Sequence, residues 1–171
     1  MATTYTLIDK VVLGSAQASI TFTSIPNTYT DLNLLCSTRL SNTGGNAVAN
    51  LTLQFNGSQA NFTGRGLGGN GSVSYSDPYT TSKMVLTDTT TATASTFSNN
   101  SIYIPNYAGS NYKSFSVDNV IENNATASWI ELNAGLWSQT AAISSITLYD
   151  YTLGYNLVSG SSFYLYGIKN S

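Results

Sequence analysis

The chain has 171 residues, 42% of them hydrophobic and 12% aromatic, which is enough apolar matter for one packed core and argues against disorder. It contains no histidine, one cysteine and 8% charged residues, with a net charge of −2. This excludes the usual proton shuttle near neutral pH, any disulfide within the chain and any Cys-x-x-Cys motif. Lys10, Arg39, Arg65, Lys83, Lys113 and Lys169 are scattered, so a nucleic-acid footprint is missing too.

Taken in chain order, apolar residues alternate with period two, the signature of antiparallel sheets with one buried face. Tyr5, Leu7, Val11 and Leu13 would share a face of the first strand, with Asp9 the exception. Ile20 and Phe22 follow, then Leu32, Leu34 and Cys36, then Leu51, Leu53 and Phe55. Gly64–Ser72 reads as a flexible inter-strand loop, and the Thr- and Ser-rich stretch Thr87–Ser98 as an exposed loop or polar edge strand. Ile102 with Ile104 and Phe115 with Val117 continue the pattern. In Ser128–Trp137, Ile130, Leu132, Ala134 and Leu136 are expected to face the core, with Glu131, Asn133, Trp129 and Trp137 opposite. Ile146 with Leu148 and Phe163 with Leu165 close the series. Turn signals punctuate it, among them Asn56-Gly57, Asp77-Pro78 and Pro105–Gly109. About 8–10 short strands at this spacing predict an all-β chain: an antiparallel β-sandwich or jelly roll forming a single domain over 1–171.

Few motifs carry chemistry. Gly64-Arg65-Gly66-Leu67-Gly68-Gly69 matches GxGxxG by letter, but Asn70-Gly71-Ser72 cannot open the helix a phosphate loop needs. Asn-x-Ser/Thr triplets at Asn50, Asn56, Asn61, Asn70, Asn99 and Asn124 follow from composition. The start of the chain lacks a signal-peptide pattern and no apolar run reaches membrane-spanning length, so a soluble, cytoplasmically made product is expected. Cys36 reads as a small core hydrophobe, with no histidine to activate it. Of the carboxylates, Asp118 and Glu122 lie close in sequence, and Glu131 shares a strand face with two tryptophans. That face suits a sugar platform, or packing against a neighbouring subunit or loop. No calcium-loop spacing is present, and no catalytic, cofactor or metal site is expected. Twelve tyrosines beside Gly, Ser and Asn suit either a binding surface or amphipathic strands.

Several blocks resemble small virion structural proteins of tailed bacteriophages, the type infecting cyanobacteria and other aquatic bacteria. They are Phe22–Arg39, Leu51–Ser72, Ser101–Tyr149 and the closing Ser161–Ser171, with the FNG turn, IPNYAGS, AGLW and LYGIK as their most specific parts. The resemblance implies a non-enzymatic β-sandwich particle component residing in the virion. A compact single domain without fibrous repeats suits a capsid decoration, or cement, protein: a homotrimer bound to the major capsid protein, with no nucleic acid or membrane partner. The alternative is a tail or fibre adhesin gripping host polysaccharide. Trp129, Glu131, Trp137, Tyr107 and Tyr112 are the candidate partner or glycan contacts. A glycan-degrading enzyme, resting on Glu131, is the third reading.

Overall fold

The computed structural model describes residues 4–42, 44–124 and 128–169. The last two residues of the Asn124 triplet and the final two of the chain lie outside them. Among the described residues there are twelve strands and no helix. In order they are β1 (Tyr5–Val12), β2 (Ser19–Phe22), β3 (Asp31–Leu40), β4 (Val48–Phe55), β5 (Phe62–Gly69) and β6 (Ser74–Tyr79). Then come β7 (Val85–Thr89), β8 (Ser98–Ile104), β9 (Lys113–Ile121), β10 (Trp129–Trp137), β11 (Ile146–Asp150) and β12 (Ser162–Ile168).

They pair as β1-β12-β3-β8-β9-β10-β5-β6 in one sheet and β2-β11-β4-β7 in the other. The two join where Arg39 and Leu40 of β3 pair in parallel with Asp88 and Thr89 of β7. The orders β1-β12-β3-β8 and β2-β11-β4-β7 describe a chain folded back on itself, first strand against last and second against eleventh. This is the interlocked pairing of a jelly roll. Two further pairs, β5–β6 and β9–β10, extend the first sheet beyond β8 as a wing.

The core lies between the sheets. Ile20, Phe22, Leu51, Leu53, Phe55, Ile146 and Leu148 of the smaller sheet face Leu34, Ile102, Val117, Phe163 and Leu165 of the larger, and all are buried. These are the inward positions that alternation predicts. Phe55, Phe62, Phe115 and Trp137 seal one side as an aromatic cluster, with ring centroids 5.3–6.3 Å apart.

In several places the structure corrects the sequence reading. Among the described residues the strands number twelve, against the expected eight to ten or so. β10 keeps its period of two with the faces exchanged: Glu131, Asn133, Gly135 and Trp137 point inward, while Ile130 and Leu132 are 63% and 53% exposed. The core takes the larger apolar side chain, Trp137, and Gly135 leaves room for the Phe115 ring, whose nearest atom would lie 2.2 Å from an added Cβ. Leu132→Ala is therefore expected to change unfolding stability by no more than about 0.5 kcal/mol. A thermal melt checks this, and a large loss would restore the original orientation. In β1 a bulge between Leu7 and Asp9 puts Leu7 opposite Tyr166, separating it from Val11, which pairs with the buried Phe163. Gly64–Gly69 is no loop but part of β5, paired on both sides. The Thr-rich stretch begins as β7, buried between β4 and β3 rather than at an edge.

The blocks carrying the resemblance turn out to be devices of the fold. Asn56 and Gly57 both take positive φ (53° and 73°), the geometry of a two-residue hairpin turn. The Asn56 side chain accepts from the Ser144 and Ser145 N–H groups and donates to the Ala142 carbonyl, tying down the approach to β11. In IPNYAGS, Asn106 donates its N–H to Asp31 (2.9 Å), and the buried Tyr107 hydroxyl donates to the Pro26 carbonyl.

Candidate functional site

Cross-strand partners form rows along the inner face of the larger sheet. One row runs Leu165, Leu34, Ile102, Val117, Asn133, Gly66, Asp77. The next runs Phe163, Cys36, Asn100, Asn119, Glu131, Gly68, Tyr75. Both are apolar inside the sandwich and become polar towards the wing, which reaches past the smaller sheet. The meeting point is stitched by amides. Asn119 accepts from the Leu86 N–H (2.8 Å) and donates to the Met84 carbonyl (3.0 Å), to which Asn133 also donates (3.1 Å). Asn119 thus takes the place of a strand beside the part of β7 that β3, which pairs only with Asp88 and Thr89, does not reach.

Beyond that seam, the inner face of β6 and β10 and the residues of β4 and β7 enclose a groove of about 770 Å³. Tyr75, Asp77, Tyr79, Trp129 and Glu131 line one wall, and Val48, Asn50 and Leu86 the other. Glu131, buried, is clamped by donors: the Tyr75 hydroxyl on one carboxylate oxygen, and the Tyr79 hydroxyl (3.1 Å) and Asn133 amide (2.5 Å) on the other. Burial, and after it the Glu131 carboxylate, push both tyrosine hydroxyls well above their ordinary pKa, so both stay neutral donors. The rings lie over β5, where a Cβ on Gly66 would come within 2.8 Å of Tyr79 and one on Gly68 within 2.7 Å of Tyr75. Alternate glycines therefore form the bed on which the tyrosines rest.

Of the candidate contacts, the groove brings together Trp129 and Glu131. Trp137 and Tyr107 are not surface platforms: both are buried in the core, because the aromatic cluster takes one and the Pro26 carbonyl anchors the other. Tyr112 is 59% exposed before β9 and does not line the groove. Tyr75, Asp77 and Tyr79 were missed as site residues; the signal was their own alternation, matched by Gly64-x-Gly66-x-Gly68. The carboxylates do not converge as a pair around Asp118, which lies on the opposite face of the sheet from Glu131, while Glu122 caps the Asn124 N–H (2.8 Å). Two cations are absorbed by the fold. Arg39 donates to the carbonyls of Ala92, Thr93 and Thr96, and Lys113 to those of Gly109 and Asn111. Burial pushes the Cys36 thiol up, against any nucleophilic role.

The outer face of the same sheet is a second feature. Its rows run Leu7, Tyr166, Asn33, Tyr103, Ser116, Ala134, Arg65, Pro78 and Lys10, Tyr164, Leu35, Ser101, Asp118, Leu132, Leu67, Ser76. Beside them Val120 pairs with Ile130. Leu67, Ile130, Leu132, Leu7 and Val120 are 41–64% exposed there.

No family model and no curated protein matches the chain. Among solved structures, the binding domain of botulinum neurotoxin DC, determined in complex with SialylT, is similar at 11% identity and a TM-score of 0.24. The match covers 95% of this chain and 44% of that one, and a likeness at this level carries no functional argument.

Proposed function

We propose that this protein is a non-enzymatic virion structural component that docks on an assembled capsid lattice through the outer face of its larger sheet. One observation carries the reading: that face is eight strands wide, left uncovered by the other described residues, and studded with apolar side chains. At ordinary strand spacing and length it measures roughly 34 Å by 24 Å, or about 800 Å², the area each partner contributes to a standard-size interface. Exposed apolar residues gathered on this scale mark interaction surfaces. The resemblance to phage virion proteins supplies the partner, the major capsid protein, and the expectation of trimers. A ligand that binds only the assembled shell stabilises it by about 2.7 kcal/mol per site at a hundredfold excess over Kd.

The test mixes the protein with assembled capsid shells and, separately, with unassembled capsid subunits, and sediments each. Co-sedimentation with shells alone is expected, along with a raised melting temperature of the shell. Both should vanish in a Leu67→Asp/Leu132→Asp variant that itself melts normally. Binding to tails instead of shells, or undiminished binding by the variant, overturns the reading. The competing reading, a host-polysaccharide adhesin, loses Trp137 and Tyr107 as platforms and keeps Trp129 and Glu131 in the groove and the exposed Tyr112 outside it.

A further inference from the structure

We propose that the groove beneath the wing binds a neutral, hydroxyl-rich saccharide segment. It lies on the inner face of β6 and β10, and the docking surface lies on the outer face, so the two can be occupied together and stand or fall separately. Three features point to this chemistry. The ring carbons of the part-exposed Tyr75 and Trp129 offer apolar surfaces of the kind that stack on the C–H face of a sugar, while Tyr79 is buried in the groove wall. The Tyr75 ring is held in place before any ligand arrives: its hydroxyl is committed to Glu131 and it lies on Gly68, so binding costs little side-chain ordering. Around them Asp77 provides an exposed carboxylate and Asn50 an amide, an acceptor and a donor for sugar hydroxyls.

The charges select among ligands. Asp77 and Glu131 outnumber Lys83, the groove's one basic side chain among the described residues, whose ammonium lies 5.0 Å from the Tyr151 ring centroid. Uronic acids, sialic acids and phosphates would meet net negative charge, which disfavours them against neutral sugars. Addition of a peptide strand is disfavoured as well, because the edge strand β6 carries Pro78, which breaks the ladder a peptide would extend.

The full chain is titrated, with tryptophan fluorescence as the readout, against neutral hexasaccharides of glucose, galactose and mannose. Hyaluronate oligomers and an unstructured Ser/Thr-rich peptide are the comparisons. Because Trp137 is buried, a saturable spectral change reports Trp129. At least one neutral hexasaccharide is expected to bind, with affinity falling tenfold or more in Asp77→Ala, an exposed substitution that leaves melting unchanged. In Trp129→Ala, binding is followed by calorimetry and is expected to be lost. The proposal is overturned if no neutral hexasaccharide binds. It is also overturned if hyaluronate or the peptide binds more tightly, or if both variants bind like the parent chain.

Discussion

Replacing Phe55 by alanine is expected to remove about 3–5 kcal/mol of folding stability, the usual toll for truncating a buried phenylalanine. Phe55 is fully buried at the end of β4, and its ring meets Phe62, Phe115 and Trp137 at 5.3, 5.5 and 5.6 Å between centroids. Those three partners come from β5, β9 and β10, so this single ring ties the smaller sheet to both hairpins of the wing. The next two residues form the tight turn whose Asn56 side chain holds the approach to β11, which limits how far the backbone can move to refill a cavity. Since a domain of this size is stable by about 5–15 kcal/mol in total, the loss is a large share. Urea denaturation should show a lower midpoint with an unchanged slope. Phe55→Leu, which conserves more volume, should cost about 1.5 kcal/mol or less. A loss below about 1 kcal/mol for the alanine variant would mean that the aromatic cluster does not seal the sheets.

The same cluster shows why the sequence was legible in some places and misleading in others. Where a strand lies wholly within the sandwich, as with Leu51, Leu53 and Phe55 or Phe163 and Leu165, one face is apolar and the other polar, and alternation identifies the buried side. β10 is different because it runs from the core into the wing. Trp137 at one end belongs to the core, and Glu131 towards the other faces the groove, so its inner face is mixed. Its outer face meanwhile keeps Ile130 and Leu132. Alternation establishes that two faces exist; it does not say which is covered, and here the more apolar one is not. Gly64–Gly69 fails for another reason. Glycine normally weakens a strand, and the rings that make these glycines useful come from Tyr75 and Tyr79, on the far side of a turn. The compensation is non-local, so composition alone reads as loop. Trp129 and Glu131 were identifiable as a pair on one strand, but the tyrosines that complete the groove required knowledge that β6 pairs with β5 and β5 with β10.

Glu131 is where stability and the groove meet, and Glu131→Ala is expected to cost about 2–4 kcal/mol. The carboxylate accepts from Tyr75, Tyr79 and Asn133, so removing it strands three donors, at about 1–3 kcal/mol for each that stays buried. Tyr75 sits at the groove wall and can recover a water partner, which keeps the sum below three full penalties. Glu131→Gln retains the shape and one acceptor oxygen, and should fall between the parent chain and Glu131→Ala. An alkaline titration separates the electrostatic contribution from packing. Both tyrosines have their pKa raised in the folded state, by burial first and by Glu131 next, so the native protein holds these protons longer than the unfolded chain does. The stabilisation is therefore complete below the unfolded tyrosine value of about 10 and drains away as pH rises above it. In Glu131→Gln the negative charge beside the hydroxyls is gone, so the tyrosines should ionise at lower pH and the loss of stability above about pH 10 should be shallower. Absorbance of tyrosinate, followed with the melting temperature from pH 8 to 12, checks both. If the Gln variant titrated like the parent, burial alone would account for the shift and Glu131 would act only as a hydrogen-bond acceptor. If Glu131→Ala melted like the parent, the clamp that pre-sets the two rings would not exist.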